Sequence, residues 1–317
     1  MKSKNCLYCY NPLTKGEKDF HEKCSLKFFG IAEPPLLDLD KNQLEQLAEQ
    51  IILKSVAITG VQPKLSLTIE RPTGDNKRSR LTIVGLWGNY ILKPQSGIHK
   101  QLPENEDLTM HLSELFKMNT AEHSLLRTTS DEIVYIVKRF DRIKEGKLQC
   151  EDFCQLSELL TENKYRSSME RTGKLIKLHT ANPLLEAIAF FELTIFCFLS
   201  GNADMHLKNF SLLKDTKGRN NLAPFYDLLN TKLAIPKDTE EMALTLNGRK
   251  SRINRTDFNK FGTSLGMSEK QLSSTYQKFS GKISDAIEFI ARSFLSEDLK
   301  KEYTSLFLER AKRLQLG

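Results

Sequence analysis

The sequence has few of the features that would place it outside the ordinary globular proteins. It holds 16 glycines and 10 prolines among 317 residues, which excludes collagen-like and Pro/Gly-rich low-complexity chains. No apolar run reaches the roughly 18 residues typical of a transmembrane helix. The nearest run, 184–199, is interrupted by Glu186 and Glu192. We therefore expect no membrane-spanning segment.

Cysteine and charge are equally unremarkable in amount. Six cysteines in a chain of this length are too few for a disulfide framework, and the N-terminus lacks the apolar segment of a secretory signal. We therefore expect a cytoplasmic protein. The net charge of +7 permits phosphate-bearing partners. Lysine and arginine are scattered except at 249–255, which we interpret as a solvated or phosphate-binding surface, so no direct sequence-specific nucleic-acid binding is expected.

The predicted elements differ between the two parts of the chain. Apolar alternation predicts strands before residue 140, whereas helical spacing dominates after residue 142. The predicted strands are 65–69, 81–86, 89–92 and 132–139, and a hairpin is predicted from 207–213 and 222–226. The predicted helices are 39–52, 104–118, 183–200 and those that follow residue 256. This segregation predicts an α+β chain with a sheet-rich N-lobe and a helical C-lobe.

The segment 200–213 carries the most specific chemistry. Asp204 and Asn209 are five positions apart, as in the protein-kinase catalytic loop, where the aspartate accepts a hydroxyl proton and the asparagine holds magnesium. Asp227 follows a short apolar run, as the magnesium-binding acid of that fold does, and Lys93 ends a predicted strand, as its phosphate-binding lysine does. Taken singly, each residue has an ordinary structural interpretation; their order and spacing together favour phosphoryl transfer.

Several motifs in combination resemble the HipA-type serine/threonine kinases, the toxins of bacterial toxin–antitoxin systems. The resemblance covers about residues 50–310. The motifs are TGVQPK, YILKP, KRFDR, CEDFCQ, GNADMHLKNFSLL, FYDLL and MALTLNGRKSRINRTDF. The resemblance implies a two-lobed, protein-kinase-like fold with an N-lobe at 36–150 and a C-lobe at 151–317. A small Cys-rich segment at 1–35 would precede them.

The resemblance also implies ATP and Mg²⁺ as cofactors and assigns roles to individual residues. These are the base Asp204, the magnesium ligands Asn209 and Asp227, the phosphate contacts Lys93, His206 and Lys208, and the nucleotide contacts Glu151, Phe153 and Tyr226. Lys93 and His206 would belong to the catalytic group. Core packing is the alternative interpretation for Phe153 and Tyr226, and a structural hydrogen bond is the alternative for His206.

Two further assignments concern the predicted N-lobe. In the family, a serine in the ATP loop autophosphorylates, and the added charge repels nucleotide. Here that loop reads Ala-Ile-Thr-Gly, so Thr59, beside Gly60, is the first candidate and Ser55 the second. Glu106 is the candidate partner of Lys93. Its neighbours Glu104 and Asp107 are interpreted as acids favoured by the helix dipole.

The chain carries only about 50 residues before the resemblance begins, like the shorter, HipT-like branch of the family. The resemblance implies that a separate small antitoxin protein supplies the missing N-terminal subdomain, beside a DNA-binding antitoxin. The substrate would be a protein of translation, such as an aminoacyl-tRNA synthetase. A small-molecule kinase on the same fold and an inactive binding module remain the alternatives.

The N-terminal segment holds a separate pattern. Cys6, Cys9, His21 and Cys24 form Cys-x2-Cys and His-x2-Cys pairs. Thiolate and imidazole groups are the ligands that zinc prefers in tetrahedral sites. The pattern indicates a small zinc knuckle. The alternative is a folded cap in which the thiols are buried as hydrophobic groups.

Overall fold

The computed structural model describes residues 4–40, 42–44, 46–47, 63–71, 78–85 and 87–316. The chain divides into two compact units. The first unit is Met1–Asp107 with Ala121–Arg139, and the second is Leu108–Thr120 with Phe140–Gly317. Of the predicted helix 39–52, residues 42–44 and 46–47 are helical. The assignments at Ser55, Thr59 and Gly60 lie outside the described residues.

The first unit is built on a five-stranded antiparallel sheet in the order β2-β1-β3-β5-β4. Helix α1 (Glu22–Phe29) precedes the sheet. The strands are β1 (Leu65–Glu70), β2 (Arg80–Ile83), β3 (Tyr90–Lys93), β4 (His123–Arg127) and β5 (Ile133–Lys138). Strands β4 and β5 are buried along most of their length, which agrees with their apolar, β-branched sequences. Helix α2 (Leu102–Leu115) begins in the first unit and ends in the second.

The second unit is mainly helical. Its small strands are β6 (Arg142–Ile143), β7 (Gly146–Lys147), β8 (Cys150–Asp152), β9 (Ser211–Lys214) and β10 (Asn220–Leu222). Its helices are α3 (Phe153–Leu156), α4 (Met169–His179), α5 (Pro183–Ser200), α6 (Thr231–Ala234), α7 (Arg255–Ser264), α8 (Glu269–Ser280), α9 (Ile283–Ala291) and α10 (Glu297–Arg313). Strands pair in the order β10-β9-β8. The predicted α+β class is confirmed.

Helix α5 forms the core of the second unit, and its limits match the prediction. Pro183 opens it, where proline's missing N–H costs nothing, and Gly201 ends it in the left-handed conformation, at φ 76°. The helix is long and apolar enough to cross a membrane. However, Phe190 and Phe196 are fully buried, and Glu192 forms an ion pair with Lys278 of α8. These contacts are those of a core helix in a globular domain.

The predicted hairpin differs from the observed one. Residues 207–209 form a 3₁₀ turn instead of the start of a strand, so β9 begins only at Ser211. Its partner β10 ends at Leu222 instead of beginning there. The apolar spacing does not distinguish a strand from a buried turn. The turn matters because it carries the side chains of the predicted catalytic segment.

Candidate functional site

The first unit contains a buried ion pair between the end of β3 and the first turns of α2. Lys93 Nζ lies 2.5 Å from Glu106 Oε1, and the two side chains are only 3% and 1% exposed. The ammonium group also lies 5.5 Å from the centroid of the Tyr135 ring. Moving two charges out of water costs free energy. The attraction between ammonium and carboxylate offsets that cost only when the two groups are close and well aligned. The predicted pairing of Lys93 with Glu106 is confirmed.

The neighbouring acids of α2 have other environments. Asp107 is fully buried and accepts hydrogen bonds at 2.7 Å from the Tyr10 hydroxyl and at 2.7 Å from His123 Nδ1. Burial raises the pKa of Glu104. Asp107, interpreted from the sequence as an acid favoured by the helix dipole, is thus also the centre of a buried polar network.

In the second unit, the predicted catalytic segment is shaped by its backbone. A β-carbon on Gly201 would lie 2.6 Å from a methyl group of Leu306, so close approach and positive φ both require glycine here. The Thr231 hydroxyl donates to the Gly201 carbonyl at 3.0 Å and accepts from the Ala203 amide at 2.9 Å. Asn202 Oδ1 accepts from the Asp204 amide at 3.1 Å. Neutral side chains thus fix the backbone around Asp204.

Asp204 and Asn209 are joined across the turn. Asn209 Nδ2 donates to the backbone carbonyl of Asp204 at 2.9 Å. This bond uses the amide nitrogen and leaves Oδ1, a hard oxygen of the kind that magnesium prefers, as a ligand atom. Both side chains are half-buried. The spacing seen in the sequence therefore corresponds to a hydrogen bond between the Asn209 side chain and the backbone of Asp204.

Tyr165 is a residue of this site that sequence reasoning missed. Its hydroxyl donates to Asp204 Oδ1 at 2.7 Å, although the two residues are 39 positions apart. Burial, followed by the charge of Asp204, raises the pKa of the phenol, so the hydroxyl remains a donor at neutral pH. The side chain is nevertheless 42% exposed. No local signal in the sequence marks this tyrosine.

Asp227 lies just beyond β10 in a rarely populated backbone conformation. Its φ is 56°, a left-handed value that costs a non-glycine residue energy and is concentrated at functional sites. The preceding Tyr226 packs against Phe140 at 5.6 Å between ring centroids. Its hydroxyl donates to the Lys208 carbonyl at 3.0 Å and lies 2.6 Å from Ser211 Oγ. Tyr226 therefore ties the Asp227 segment to the 3₁₀ turn.

His206 and Lys208, both assigned to phosphate, have different neighbours. The His206 ring is 5% exposed, and its Nδ1 has no hydrogen-bond partner within the described ranges. Burial lowers the pKa of His206, while the charges of Asp204 and Asp227 oppose that shift. Both carboxylates thus lie within electrostatic reach of the ring. Lys208 Nζ instead forms an ion pair with Asp152 Oδ2 at 2.9 Å.

The two residues assigned to adenine lie where β8 passes into α3. Asp152 caps that helix through a reciprocal capping box with Gln155. Phe153 is fully buried and packs edge-on against Phe210 at 6.4 Å between centroids, which is the core-packing alternative. Glu151 is half-buried on β8, and its assignment to adenine stays a prediction.

Two other predicted groups are now placed. In the first unit, Cys6, Cys9, His21 and Cys24 lie together, with one ligand atom of each within 4.8 Å of every other. In the basic stretch 249–255, the Arg255 guanidinium lies 3.5 Å from the centroid of the Tyr276 ring and donates to the Leu314 carbonyl. Lys250 forms an ion pair with Glu240 at 3.1 Å. These cations have structural partners, which favours the solvated-face interpretation.

Comparison with known proteins connects this geometry to a family. The family described as the HipA-like C-terminal domain matches residues 56–287. A putative kinase from Haemophilus influenzae is 29% identical over 245 residues, which are 68% of this chain and 69% of that protein. Matches to two further putative kinases, from Sinorhizobium fredii, cover about half of their lengths.

Two solved structures share the fold. The first is the Shewanella oneidensis toxin–antitoxin complex of HipA, HipB and operator DNA, with a TM-score of 0.69, 20% identity, and coverage of 96% of this chain and 75% of that one. The second is the Helicobacter pylori proinflammatory kinase CtkA, with a TM-score of 0.54, 18% identity, and coverage of 71% and 87%. At these identities the likeness concerns the fold alone.

Proposed function

This chain belongs to the family of the HipA-like C-terminal domain, and on that premise we propose that it is an ATP- and magnesium-dependent serine/threonine protein kinase. The hydrogen bond from the Asn209 amide to the Asp204 carbonyl is the observation that carries the proposal. It fixes the Asn209 amide, and with it the oxygen ligand Oδ1, to the backbone of the residue that carries the carboxylate. Phosphoryl transfer needs one residue that accepts the proton and another that binds the metal.

The roles follow from the donors and acceptors in place. Asp204 would accept the proton of the substrate hydroxyl, and the hydroxyl of Tyr165 would hold that carboxylate in one orientation. Asn209 and Asp227 fit magnesium because they offer amide and carboxylate oxygens, which are hard ligands. When bound, magnesium neutralises charge on the phosphates. The strained backbone of Asp227 would serve to aim its carboxylate.

Lys93 would contact the phosphates of ATP, and Glu106 would hold its side chain in place. Their mutual burial supports this role, because an isolated buried ammonium would lose its proton or its position. His206 would act as a neutral ring, since burial lowers its pKa, and would pack beneath the reacting groups. Lys208 would reach phosphate only after leaving Asp152.

We further propose that the protein acts as the toxin of a toxin–antitoxin pair in the cytoplasm. A relative that is 26% identical over 199 residues is named a serine/threonine-protein kinase toxin HipA, and the HipA structure is a complex with HipB and operator DNA. The partners of this chain would be a small antitoxin or N-subdomain-like protein, and a DNA-binding antitoxin. The substrate would be a protein of translation. Autophosphorylation at Thr59 or Ser55 would switch the kinase off.

The direct test is phosphate transfer from γ-labelled ATP, with mass spectrometry of the purified protein and of a cell lysate treated with it. We expect phosphoprotein products with the wild type and none with Asp204→Asn. Asp298→Asn is the matched control, because Asp298 is a solvent-exposed acid of the same unit. Mapping the phosphate on the protein itself tests Thr59 and Ser55 separately.

Two results would overturn parts of the proposal. Phosphorylation of small metabolites without any phosphoprotein would indicate a small-molecule kinase. Equal growth arrest by wild type and Asp204→Asn, when each is expressed without an antitoxin, would indicate a binding module instead of an enzyme.

A further inference from the structure

The N-terminal segment before β1 contains a ligand cluster that phosphoryl transfer does not use. Cys6 and Cys9 lie on a turn, and His21 and Cys24 lie at the start of α1. All four ligand atoms lie within 4.8 Å of one another, although up to 18 positions separate them in the sequence. The fold therefore assembles three sulfur atoms and one imidazole nitrogen at one place.

Two distances within the cluster match the edges of a metal-centred tetrahedron. His21 Nδ1 lies 3.4 Å from Cys9 Sγ and 3.6 Å from Cys24 Sγ. With a zinc–sulfur bond of about 2.3 Å and a zinc–nitrogen bond of about 2.0–2.1 Å, a tetrahedral site places sulfur and nitrogen about 3.5 Å apart. His21 Nδ1 and the sulfur atoms of Cys9 and Cys24 therefore already have the spacing that zinc would require.

The hydrogen bonding of His21 selects the tautomer that a metal needs. Its Nε2 lies 3.0 Å from the backbone carbonyl of Pro12. A carbonyl can only accept, so Nε2 carries a proton, and in the neutral ring Nδ1 then presents its lone pair to the sulfur atoms. Metal-binding histidines characteristically use their second nitrogen in this way. The arrangement gives the ring both a fixed orientation and a free electron pair directed at the cluster.

Simple burial of the thiols explains the cluster less well. Cys6 and Cys24 are buried, but Cys9 is only half-buried. The single lone pair of Nδ1 could accept a hydrogen from one thiol, whereas two sulfur atoms lie 3.4 and 3.6 Å from it. We propose that Cys6, Cys9, His21 and Cys24 bind one Zn²⁺ ion. Four protein ligands complete a tetrahedral shell, so the site is structural and leaves no position for catalysis.

The contacts of the segment indicate what the metal would stabilise. Tyr10, next to Cys9, donates to Asp107 of α2 at 2.7 Å. The Leu7 carbonyl accepts from the Leu125 amide of β4 at 3.3 Å, and the Phe28 carbonyl accepts from the Tyr90 hydroxyl of β3 at 3.3 Å. Zinc would therefore fix a small cap on the sheet of the first unit and on the helix that carries Glu106.

The test is the zinc content of the full chain by elemental mass spectrometry, after purification without chelators. We expect about one zinc per chain in the wild type and in Cys150→Ser, and a large loss in Cys9→Ser. Cys150 is the matched control because it is a half-buried cysteine outside the cluster. Equal zinc in wild type and Cys9→Ser, or no zinc in the wild type even after titration with the metal, would overturn the proposal.

A second measurement uses only the wild type, so its result does not depend on whether a cysteine variant folds. Co²⁺ added to the metal-stripped protein should give the sulfur-to-cobalt charge-transfer and intense visible bands of a tetrahedral thiolate site, which zinc then abolishes. Absence of these bands would contradict the assignment. Asp204→Asn should retain zinc and give the same cobalt spectrum, so failure of the kinase proposal and failure of the zinc proposal can be distinguished.

Discussion

Lys93 of the first unit and Asp204 of the second are held in opposite ways. In the first unit, Lys93 and Glu106 are 3% and 1% exposed and compensate each other. In the second unit, Asp204 and Asn209 are half-buried, and neutral partners hold them: the Tyr165 hydroxyl, the backbone and the amide group of Asn209 itself. One site depends on a matched pair of ions, whereas the other depends on hydrogen bonds to neutral groups.

This difference predicts how substitutions will behave. Removing one member of a buried ion pair leaves an uncompensated charge, so stability and activity should fall together. A half-buried acid keeps part of its hydration, so its replacement should affect chemistry much more than folding. The following variants test whether the two sites can be separated in this way.

The largest expected effect is on catalysis by Asp204→Asn. The amide keeps an oxygen that can accept from Tyr165 but cannot take a proton, so we expect the phosphorylation rate to fall by about 10²–10⁴-fold. The free energy of unfolding should change by less than about 0.5 kcal/mol. Rates with a protein substrate and urea unfolding measure the two effects, with Asp298→Asn as the control. If Asp204→Asn lowered the unfolding free energy as strongly as it lowered the phosphorylation rate, Asp204 would be as important for folding as Lys93, and the two sites would not differ in this respect.

Lys93→Met should affect both quantities. It leaves Glu106 buried without its ammonium partner, and we expect the first unit to lose about 3–5 kcal/mol of stability. The double variant Lys93→Met/Glu106→Leu should recover most of that stability, because it removes both charges, but should remain inactive. Urea unfolding followed in parallel with the phosphorylation rate provides the measurement. If Lys93→Met were as stable as the wild type, the ion pair between Lys93 and Glu106 would not stabilise the first unit.

The parts of this architecture that the sequence predicts are those with local signals. Helix α5 was predictable because Pro183 and Gly201 mark its ends and apolar residues fill it. The pair of Lys93 and Glu106 was predictable because protein kinases pair a strand lysine with a glutamate of the following helix, and here the two residues lie only 13 positions apart. In both cases the signal is contained in a short stretch of the chain.

The parts that could not be predicted depend on distant contacts. The hydrogen bond from Tyr165 to Asp204 and that from Tyr10 to Asp107 join residues 39 and 97 positions apart. No periodicity relates such positions, so only the tertiary fold specifies them. The 3₁₀ turn at 207–209 was predicted as a strand for a related reason, because its buried Leu207 fits either structure.

Thr231→Val tests whether neutral hydrogen bonds hold the site of the second unit. The substitution keeps the shape but removes the hydroxyl that bridges the Gly201 carbonyl and the Ala203 amide. We expect a loss of about 1–3 kcal/mol in unfolding free energy and a fall in activity smaller than that of Asp204→Asn. Thr231→Ser retains the hydroxyl and should remain close to wild type in both measurements. Equal behaviour of the valine and serine variants would show that the hydroxyl does not position the Asp204 segment.

The smallest expected effect is the pH dependence contributed by His206. Burial lowers its pKa below the ordinary value of 6.5, against the opposing charges of Asp204 and Asp227 and with support from Lys164. Below pH 6.5 the unfolded chain therefore binds a proton more readily than the folded chain does. The stability that this histidine contributes is present above pH 6.5 and is lost as the pH falls towards its lowered pKa.

His206→Asn should accordingly flatten the decline of the unfolding free energy between pH 7 and pH 5, as measured by urea unfolding at several pH values. His179→Asn is the matched control, because His179 is a half-buried histidine of the same unit on α4. Parallel pH curves for wild type and His206→Asn would mean that the ring is as easily protonated in the folded chain as in the unfolded one. The second unit would then hold a protonated histidine beside Asp204. In that case both units would contain a buried cation next to a carboxylate, and they would differ less than the burial of His206 suggests.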